Sequence, residues 1–176
     1  FGSVFRLNYY DLDEMEQVLG RSSQILDCNT DSGGIKQIAR RSRGTPRIGN
    51  RLLRRARDYA LVRADGDITE KVAQEALDML QVDDRGLDQS DKALLETLVE
   101  KFSGGPVGLD TLATSLSEES DTVMDVLEPY LMQLGFIERT PRGRVATRAA
   151  YQYLGQDFPI GGDHPGLSLQ HISRRP

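Results

Sequence analysis

The sequence predicts a mainly α-helical chain of two small domains, a helical bundle followed by a winged helix that carries a β-hairpin wing. Apolar residues recur at helical spacing through most of the chain, which favours amphipathic helices. Residues 136–147 differ, because two short segments, residues 136–140 and 144–147, flank the turn residues Pro141-Arg142-Gly143. This pattern is typical of a β-hairpin. A short polar connector, residues 81–87, separates the two groups of helices. The predicted bundle, winged helix and disordered Gly/Pro-rich tail occupy residues 1–82, 83–155 and 156–176.

Four helices are predicted in the first domain, after a strand or extended segment at residues 1–10. Asp11, followed by Glu14 three residues later, predicts a capping box at the start of the first helix. The apolar stripe expected to bury this helix comprises Leu12, Met15, Val18, Leu19, Ile25 and Leu26. A second helix is predicted over residues 31–42, and the fourth begins after Thr69, whose hydroxyl is the predicted cap. Four short amphipathic helices with brief turns make a small bundle.

The third helix begins in an arginine-rich stretch, residues 40–57, which holds eight arginines and no acidic residue. Gly44 can close the preceding helix, Thr45 is predicted to cap the next through its hydroxyl, and Pro46 fits the first helical position. The predicted apolar face comprises Ile48, Leu52, Leu53, Ala56, Tyr59 and Ala60, and the cationic face comprises Arg47, Arg51 and Arg54. Arg47 lies near the positive end of the helix dipole, which disfavours a bare cation by about 0.3 to 1 kcal/mol and favours a bound anion. Solvated surface is the other interpretation, since most arginine-rich helix faces have no partner.

The second domain is predicted to contain three helices, a hairpin and a last helix. The first helix ends at Gly104-Gly105, and residues 107–109 suggest a short strand before a helix of one to two turns. A longer helix is predicted over residues 118–134, where Pro129 should kink it or replace one hydrogen bond. The apolar stripe of that helix comprises Val123, Val126, Leu127, Tyr130, Leu131 and Leu134. Thr147 is predicted to cap the last helix.

The charge pattern of the second domain favours a nucleic-acid contact on the hairpin and not on the long helix. Residues 110–138 contain seven acids and no Lys or Arg, so much of that helix should repel a polyanion. Arg139, Arg142 and Arg144 flank or occupy the hairpin turn, and Arg139 and Arg144 can point to the same edge of the ribbon. An exposed basic hairpin without a partner is equally consistent with these residues. The net charge of −5 argues against indiscriminate nucleic-acid binding.

Several motifs resemble one known family. Gly44-Thr45-Pro46-Arg47 resembles the sensor-2 motif of AAA+ ATPases. Together with Ile48 and Asn50-Arg51-Leu52-Leu53-Arg54-Arg55, it resembles RuvB, the hexameric motor that branch-migrates Holliday junctions. Three motifs of the second domain resemble the same family, namely residues 105–109 (GPVGL), 128–131 (EPYL) and 140–147 (TPRGRVAT). The resemblance covers nearly everything from Phe1 to Gly155.

The resemblance implies that the first domain is the lid that closes over ATP. Arg47 would then sense the γ-phosphate as the catalytic residue, and Tyr10 and Pro46 would join it in binding the nucleotide. In the family, a P-loop domain holds the triphosphate and magnesium, and no Gly-x-x-x-x-Gly-Lys-Ser/Thr sequence occurs in these 176 residues. We therefore expect the chain alone to hydrolyse nothing. Because it begins at Phe1 without an initiator Met, we interpret it as a piece of a longer protein.

The resemblance also implies DNA and protein partners. Arg139 and Arg144 would hold duplex DNA, with a weaker contribution from Arg142, whereas Ser120 stands where many relatives place a further DNA-facing arginine. The implied partners are double-stranded DNA at a Holliday junction, RuvA, the other subunits of a homo-hexamer and, in the junction complex, RuvC. The implied location is the cytoplasm.

Two other functions are consistent with the residues alone. One is a winged-helix transcription regulator whose bundle serves dimerisation or ligand sensing; the other is a clamp-loader-like interaction module whose arginine helix docks an acidic partner. No run of about 18 apolar residues exists, so no membrane span is expected. The single Cys28 cannot form an internal disulfide and fits a reducing compartment. We predict no metal site, because His164 and His171 lie far from other ligand residues.

Overall fold

A computed structural model describes residues 9–159 of the chain. These residues divide into two compact units between Gln89 and Ser90. The first unit contains the helices α1 (Leu12–Ile25), α2 (Ser32–Arg41), α3 (Pro46–Arg63) and α4 (Glu70–Met79). The elements that follow are α5 (Gln89–Glu96), α6 (Leu109–Leu116), α7 (Ser120–Thr122), α8 (Glu128–Gln133), β1 (Ile137–Thr140), β2 (Gly143–Ala146) and α9 (Arg148–Tyr153). Two π-helical turns, Thr97–Lys101 and Val123–Leu127, continue α5 and join α7 to α8. The predicted mainly α fold is confirmed.

The first unit is a four-helix bundle in which α1 and α4 each pack against both α2 and α3. The fully buried side chains at its centre are Leu19, Ile38, Leu53, Ala56, Ala60, Ile68, Ala73 and Leu77. Asp11 and Glu14 form the predicted capping box, and the hydroxyl of Thr69 accepts a hydrogen bond from the backbone N–H of Val72, which starts α4 as predicted. Two residues of the predicted stripe are exposed instead, Leu12 at 42% and Ile25 at 83%. Leu12 is the first residue of the helix, and Ile25, six residues after Leu19, lies away from the buried face.

The second unit has the helices and the hairpin of a winged helix, as predicted. Strands β1 and β2 pair antiparallel, with Pro141 and Arg142 as the two-residue turn. The predicted strand at residues 107–109 is reduced to Val107, which exchanges two backbone hydrogen bonds with Arg144, of 2.8 and 3.0 Å. Gly143 lies so close to Val107 that an added Cβ would meet the Val107 carbonyl oxygen, so the hairpin turn needs glycine there.

The long helix predicted over residues 118–134 runs from Ser120 to Gln133 and contains the π-helical turn just before Pro129. A π turn bonds residues five apart, so Val123 and Glu128 come to one face and both are buried. Val126, predicted to be buried, is instead 61% exposed. The predicted stripe is therefore correct at Val123, Leu127 and Leu131, which are buried, but wrong at Val126, and it misses Glu128, because it assumed 3.6 residues per turn throughout.

The C-terminal part of the second unit differs from the prediction at two points. Thr147 precedes α9 but does not cap it, because its hydroxyl donates to the carbonyl oxygens of Gly135 and Phe136 instead. Residues 156–159, predicted to be disordered, contact the rest of the unit, since the ring of Phe158 packs edge-on against that of Tyr151 at 5.2 Å.

Parts of two predictions lie outside the described residues, namely residues 1–8 of the leading segment and residues 160–176 of the tail with both histidines. Within residues 9–159, no helix is long and apolar enough to cross a membrane.

Candidate functional site

The start of α3 lies beside the segment that leads into the first unit. Gly44, with φ of +61°, turns the chain between α2 and α3, and its carbonyl oxygen accepts a 2.8 Å hydrogen bond from the backbone N–H of Tyr10. An added Cβ at Gly44 would lie 2.6 Å from the Tyr10 carbonyl oxygen, so only glycine permits this approach. Tyr10 is 44% exposed. The backbone therefore places Tyr10 beside Gly44, which precedes Pro46 and Arg47 by two and three residues. A nucleotide contact was predicted for Tyr10, Pro46 and Arg47.

The backbone N–H groups at the start of α3 are open. Thr45 occupies the cap position, but its hydroxyl donates to the carbonyl oxygen of Arg43 at 3.2 Å, so the predicted side-chain cap is wrong. The first helical hydrogen bond runs from the Gly49 N–H to the Thr45 carbonyl at 3.0 Å. Within residues 9–159, the N–H groups of Arg47 and Ile48 have no hydrogen-bond partner. Free N–H groups and the helix dipole together favour an anion at this position.

The cationic face of α3 is exposed, as its spacing predicted. Arg47, Arg51 and Arg54 are all exposed, and in the described part of the chain none of them has a hydrogen-bond or ion-pair partner. No acidic residue in the described part of the first unit therefore neutralises Arg47. Its guanidinium extends from the same helix turn as the open N–H groups, so the two kinds of donor can bind one anion.

A second arginine in the same stretch, Arg41, is structural, which the sequence did not reveal. It lies at the end of α2 and its side chain is 1% exposed. Its guanidinium donates to the Asp83 carbonyl at 3.0 Å and to the Asp84 carboxylate at 2.5 Å. It also donates to the side-chain oxygens of Gln37 at 2.8 Å and Gln74 at 3.0 Å. Arg41 therefore joins two helices to the polar connector.

The connector is also bound by Arg43, whose Nε donates to the Gly86 carbonyl at 2.8 Å. This bond and those of Arg41 bind residues 83–86 to the end of α2. The connector is therefore part of the first unit and not a free tether.

On the wing, Arg139 and Arg144 stand directly opposite each other in the register of β1 and β2. Opposed residues of an antiparallel pair share a face, so the predicted common edge is present. The side chains are 45% and 15% exposed, respectively. Arg142, on the turn, is exposed, and no side-chain partner exists for it among residues 9–159.

Both wing arginines bind Glu128, which sequence reasoning missed. Its carboxylate is fully buried and accepts hydrogen bonds from Nε and Nη2 of Arg139 at 3.0 and 2.6 Å. It also accepts hydrogen bonds from Nε and Nη2 of Arg144 at 2.5 and 3.4 Å. Glu128 was counted among the seven acids that should repel DNA, but it is neutralised and shielded from solvent. One sequence signal could have identified Glu128. It lies five residues after the apolar Val123 and directly before Pro129, and a π-helical turn brings residues at that spacing to one face.

Ser120, where the resemblance suggests a missing arginine, does not present a free hydroxyl. Its Oγ donates to the carboxylate of Asp110 at 2.6 Å. A phosphate near Ser120 would meet that acid, so this end of the long helix is a poor site for DNA.

These features define a class of protein, one that joins the lid of an AAA-type ATPase to a winged helix. The family model of the RuvB AAA lid domain matches residues 10–83, and that of the RuvB C-terminal winged helix domain matches residues 84–155. The chain belongs to the RuvB family. The matches favour neither the transcription regulator nor the clamp-loader-like module.

Relatives and solved structures agree with this assignment. The chain is 58% identical over 154 residues to the Holliday junction branch migration complex subunit RuvB of Dehalococcoides mccartyi (strain CBDB1), covering 88% of this chain and 44% of the relative. It is 55% identical over 168 residues to the subunit of the same name from Solibacter usitatus (strain Ellin6076), covering 95% and 49%. The solved Thermotoga maritima RuvB Holliday junction branch migration motor superimposes with a TM-score of 0.81 at 43% identity, covering 87% of this chain and 51% of that one. The chain thus spans about half the length of these relatives.

Proposed function

We propose that this chain is the lid and winged-helix portion of an ATP-driven motor that moves Holliday junctions. The open start of α3 carries this proposal. Arg47 is exposed and no partner exists for it within residues 9–159, the adjacent N–H groups are unpaired, and Tyr10 lies alongside. A site of this kind binds the terminal phosphate of a nucleotide held by another domain.

ATP fits this site in charge, because the donors present are cationic or backbone N–H groups. When bound, ATP supplies a phosphoanhydride bond whose hydrolysis drives the motor. In this proposal, Arg47 holds and orients the γ-phosphate, Pro46 fixes the helix start, and Tyr10 packs against the nucleotide. Among residues 9–159, no group of three or more His, Cys, Asp or Glu side chains could hold a metal. We assign magnesium to the P-loop domain that the resemblance implies.

Substitution of Arg47 in the full-length protein tests the nucleotide role. Arg47→Ala should lower ATP turnover about 10³-fold or more, because the charge that stabilises the transferring phosphoryl group is lost. Arg51→Ala is the matched control, since it removes one arginine of the same exposed face, and its turnover should stay within about twofold. Circular dichroism should show both variants folded. Normal turnover in Arg47→Ala would remove the sensing role.

We propose that the wing grips duplex DNA through phosphates and not through bases. Arg139 and Arg144 lie side by side at the exposed hairpin, and Arg142 extends from its turn. Arginine contacts to phosphate are independent of sequence, as a translocating motor requires.

The salt dependence of DNA binding tests the wing. Arg139→Ala and Arg144→Ala should each lower the slope of log affinity against log salt by about 0.9 per lost phosphate contact. Arg55→Ala removes the same charge from an exposed position of the first unit and should leave the slope unchanged. If the two wing variants behave like Arg55→Ala, DNA binds elsewhere.

The assembly follows from the same proposal. The full-length protein would form a homo-hexameric ring in the cytoplasm, work with RuvA and, in the junction complex, with RuvC, and act as a DNA helicase that hydrolyses ATP. The 176-residue chain alone should neither hydrolyse ATP nor bind it tightly, because it contains no P-loop sequence.

A further inference from the structure

Glu128 holds the two wing arginines in a defined geometry. Its carboxylate is fully buried at the start of α8, and α8 packs against β1. Each arginine binds it through the same edge, Nε and Nη2, at distances of 2.5 to 3.4 Å. A buried carboxylate is costly unless it is paired, so these contacts should persist in solution.

This geometry leaves the other edge of each guanidinium available. Among the described residues, the Nη1 atoms of Arg139 and Arg144 have no hydrogen-bond partner. A guanidinium has five N–H donors in a rigid plane, so fixing one edge aims the other. Because the two arginines stand opposite each other on one face, both free edges extend from one small area of the wing.

The charge of the cluster suits a single phosphate. Two guanidiniums and one carboxylate carry a net charge of +1, which one phosphate oxygen anion balances. An arginine that is already held in place loses less conformational freedom on binding than a free arginine does.

We propose that Glu128 is a positioning residue for DNA, whose carboxylate aims Arg139 and Arg144 at one phosphate of the duplex backbone. The inference rests on the proposed DNA-binding role of the wing. A simpler electrostatic view makes the opposite prediction, because an acid next to the contact would only weaken the attraction for phosphate. Whether neutralising Glu128 lowers or raises the affinity for DNA therefore distinguishes the positioning role from the simpler electrostatic view.

The test compares two variants that remove the same charge from the same wing. Glu138→Gln is the matched control, because Glu138 is exposed, belongs to β1 and pairs with Val145 on the face away from the arginines. Affinity of the 176-residue chain for a mixed-sequence duplex of about 20 base pairs is measured by fluorescence anisotropy across a salt series. Glu138→Gln should raise affinity by about two- to threefold. Glu128→Gln should lower it at least about fivefold and reduce the salt slope by about 0.9. A rise in affinity equal to that of Glu138→Gln would overturn the inference.

A second variant keeps the test decisive if Glu128→Gln does not fold. Arg139→Lys retains the positive charge and can still pair with Glu128, but an ammonium has no second edge for the phosphate. We expect it to bind the duplex at least about threefold more weakly than the unchanged chain, and unchanged affinity would overturn the inference.

The same series separates this inference from the proposed function. If Arg139→Ala and Arg144→Ala leave the salt slope unchanged, the DNA-binding role of the wing fails and Glu128 fails with it. If they lower the slope while Glu128→Gln behaves like Glu138→Gln, only the positioning role is lost.

Discussion

Each unit contains an ion pair with one buried and one more exposed member, but the buried member carries the opposite charge in the two units. In the first unit the buried member is the base, since Arg41 is 1% exposed and its partner Asp84 is 89% exposed. In the second unit the buried member is the acid, since Glu128 is fully buried while Arg139 is 45% exposed. The buried member belongs to a helix in both cases, α2 or α8.

The comparison shows that burial, and not the ion pair itself, decides what such an arginine does. Arg41 donates from Nε, Nη1 and Nη2 to acceptors of the protein itself, so it fastens the connector and has little left for a ligand. Arg139 has one edge held and the other open, so it can meet a partner. Arg47 is a third case, because its side chain is held by nothing in the described part of the chain and only its backbone is fixed.

The largest effect is expected from removing both wing arginines. Arg139→Ala combined with Arg144→Ala leaves Glu128 buried without these partners. This should lower the free energy of unfolding of the second unit by about 3 to 5 kcal/mol. Native-state hydrogen exchange of the amides in β1 and β2 measures this loss. Adding Glu128→Gln should recover about half of it or more, because a neutral amide is cheaper to bury than a charge. If the third substitution recovers nothing, the buried acid is not the source of the cost.

A smaller loss is expected from the first unit. Arg41→Ala should cost about 2 to 4 kcal/mol, since it leaves a cavity and removes the partner of Gln37, Gln74 and the Asp83 carbonyl. Asp84→Ala should cost less, about 1 to 2 kcal/mol, because the buried guanidinium loses its carboxylate but keeps its bonds to Gln37, Gln74 and the Asp83 carbonyl. Hydrogen exchange of the amides in α2 measures both, with the exposed neighbour Arg40→Ala as the control. Equal costs for Arg41→Ala and Asp84→Ala would break the contrast between buried and exposed members.

The smallest effects concern two threonines at helix starts, and they test whether the start of α3 is open. Thr69→Ala should cost about 1 kcal/mol, because its hydroxyl caps α4. Thr45→Ala should cost less than about 0.5 kcal/mol, because its hydroxyl makes no cap bond to α3. Urea unfolding followed by circular dichroism compares the two variants. A Thr45→Ala cost equal to that of Thr69→Ala would mean that the N–H groups beside Arg47 are occupied in solution.

Much of the fold followed from local patterns in the sequence. Helix periodicity, the Asp11 capping box, the Thr69 cap and Pro46 at a helix start predict the bundle correctly, because each depends on residues within one or two turns. The hairpin also follows from its turn residues. The same kind of reasoning failed at Thr45 and Thr147, since each hydroxyl found a nearby carbonyl oxygen that competed with the cap.

The candidate site was only partly predictable. Spacing on one helix gave the exposed face of Arg47, and strand alternation gave the common face of Arg139 and Arg144. The roles of Arg41 and Glu128 depend on partners 42 and 11 residues away, respectively, so no local pattern reveals them. The π-helical turn also changes which residues of the long helix are buried, and its only sequence signal is the proline that follows it.

The loop between α2 and α3 has a practical consequence for protein engineering. Its neighbouring residues Arg43 and Gly44 hydrogen-bond to Gly86, seven residues after α4, and to Tyr10, two residues before α1. Both ends of this bundle therefore meet at the same two residues. A domain whose two ends lie close together can be inserted into a surface loop of a host protein without separating the ends of that loop. The bundle is therefore suited to domain insertion.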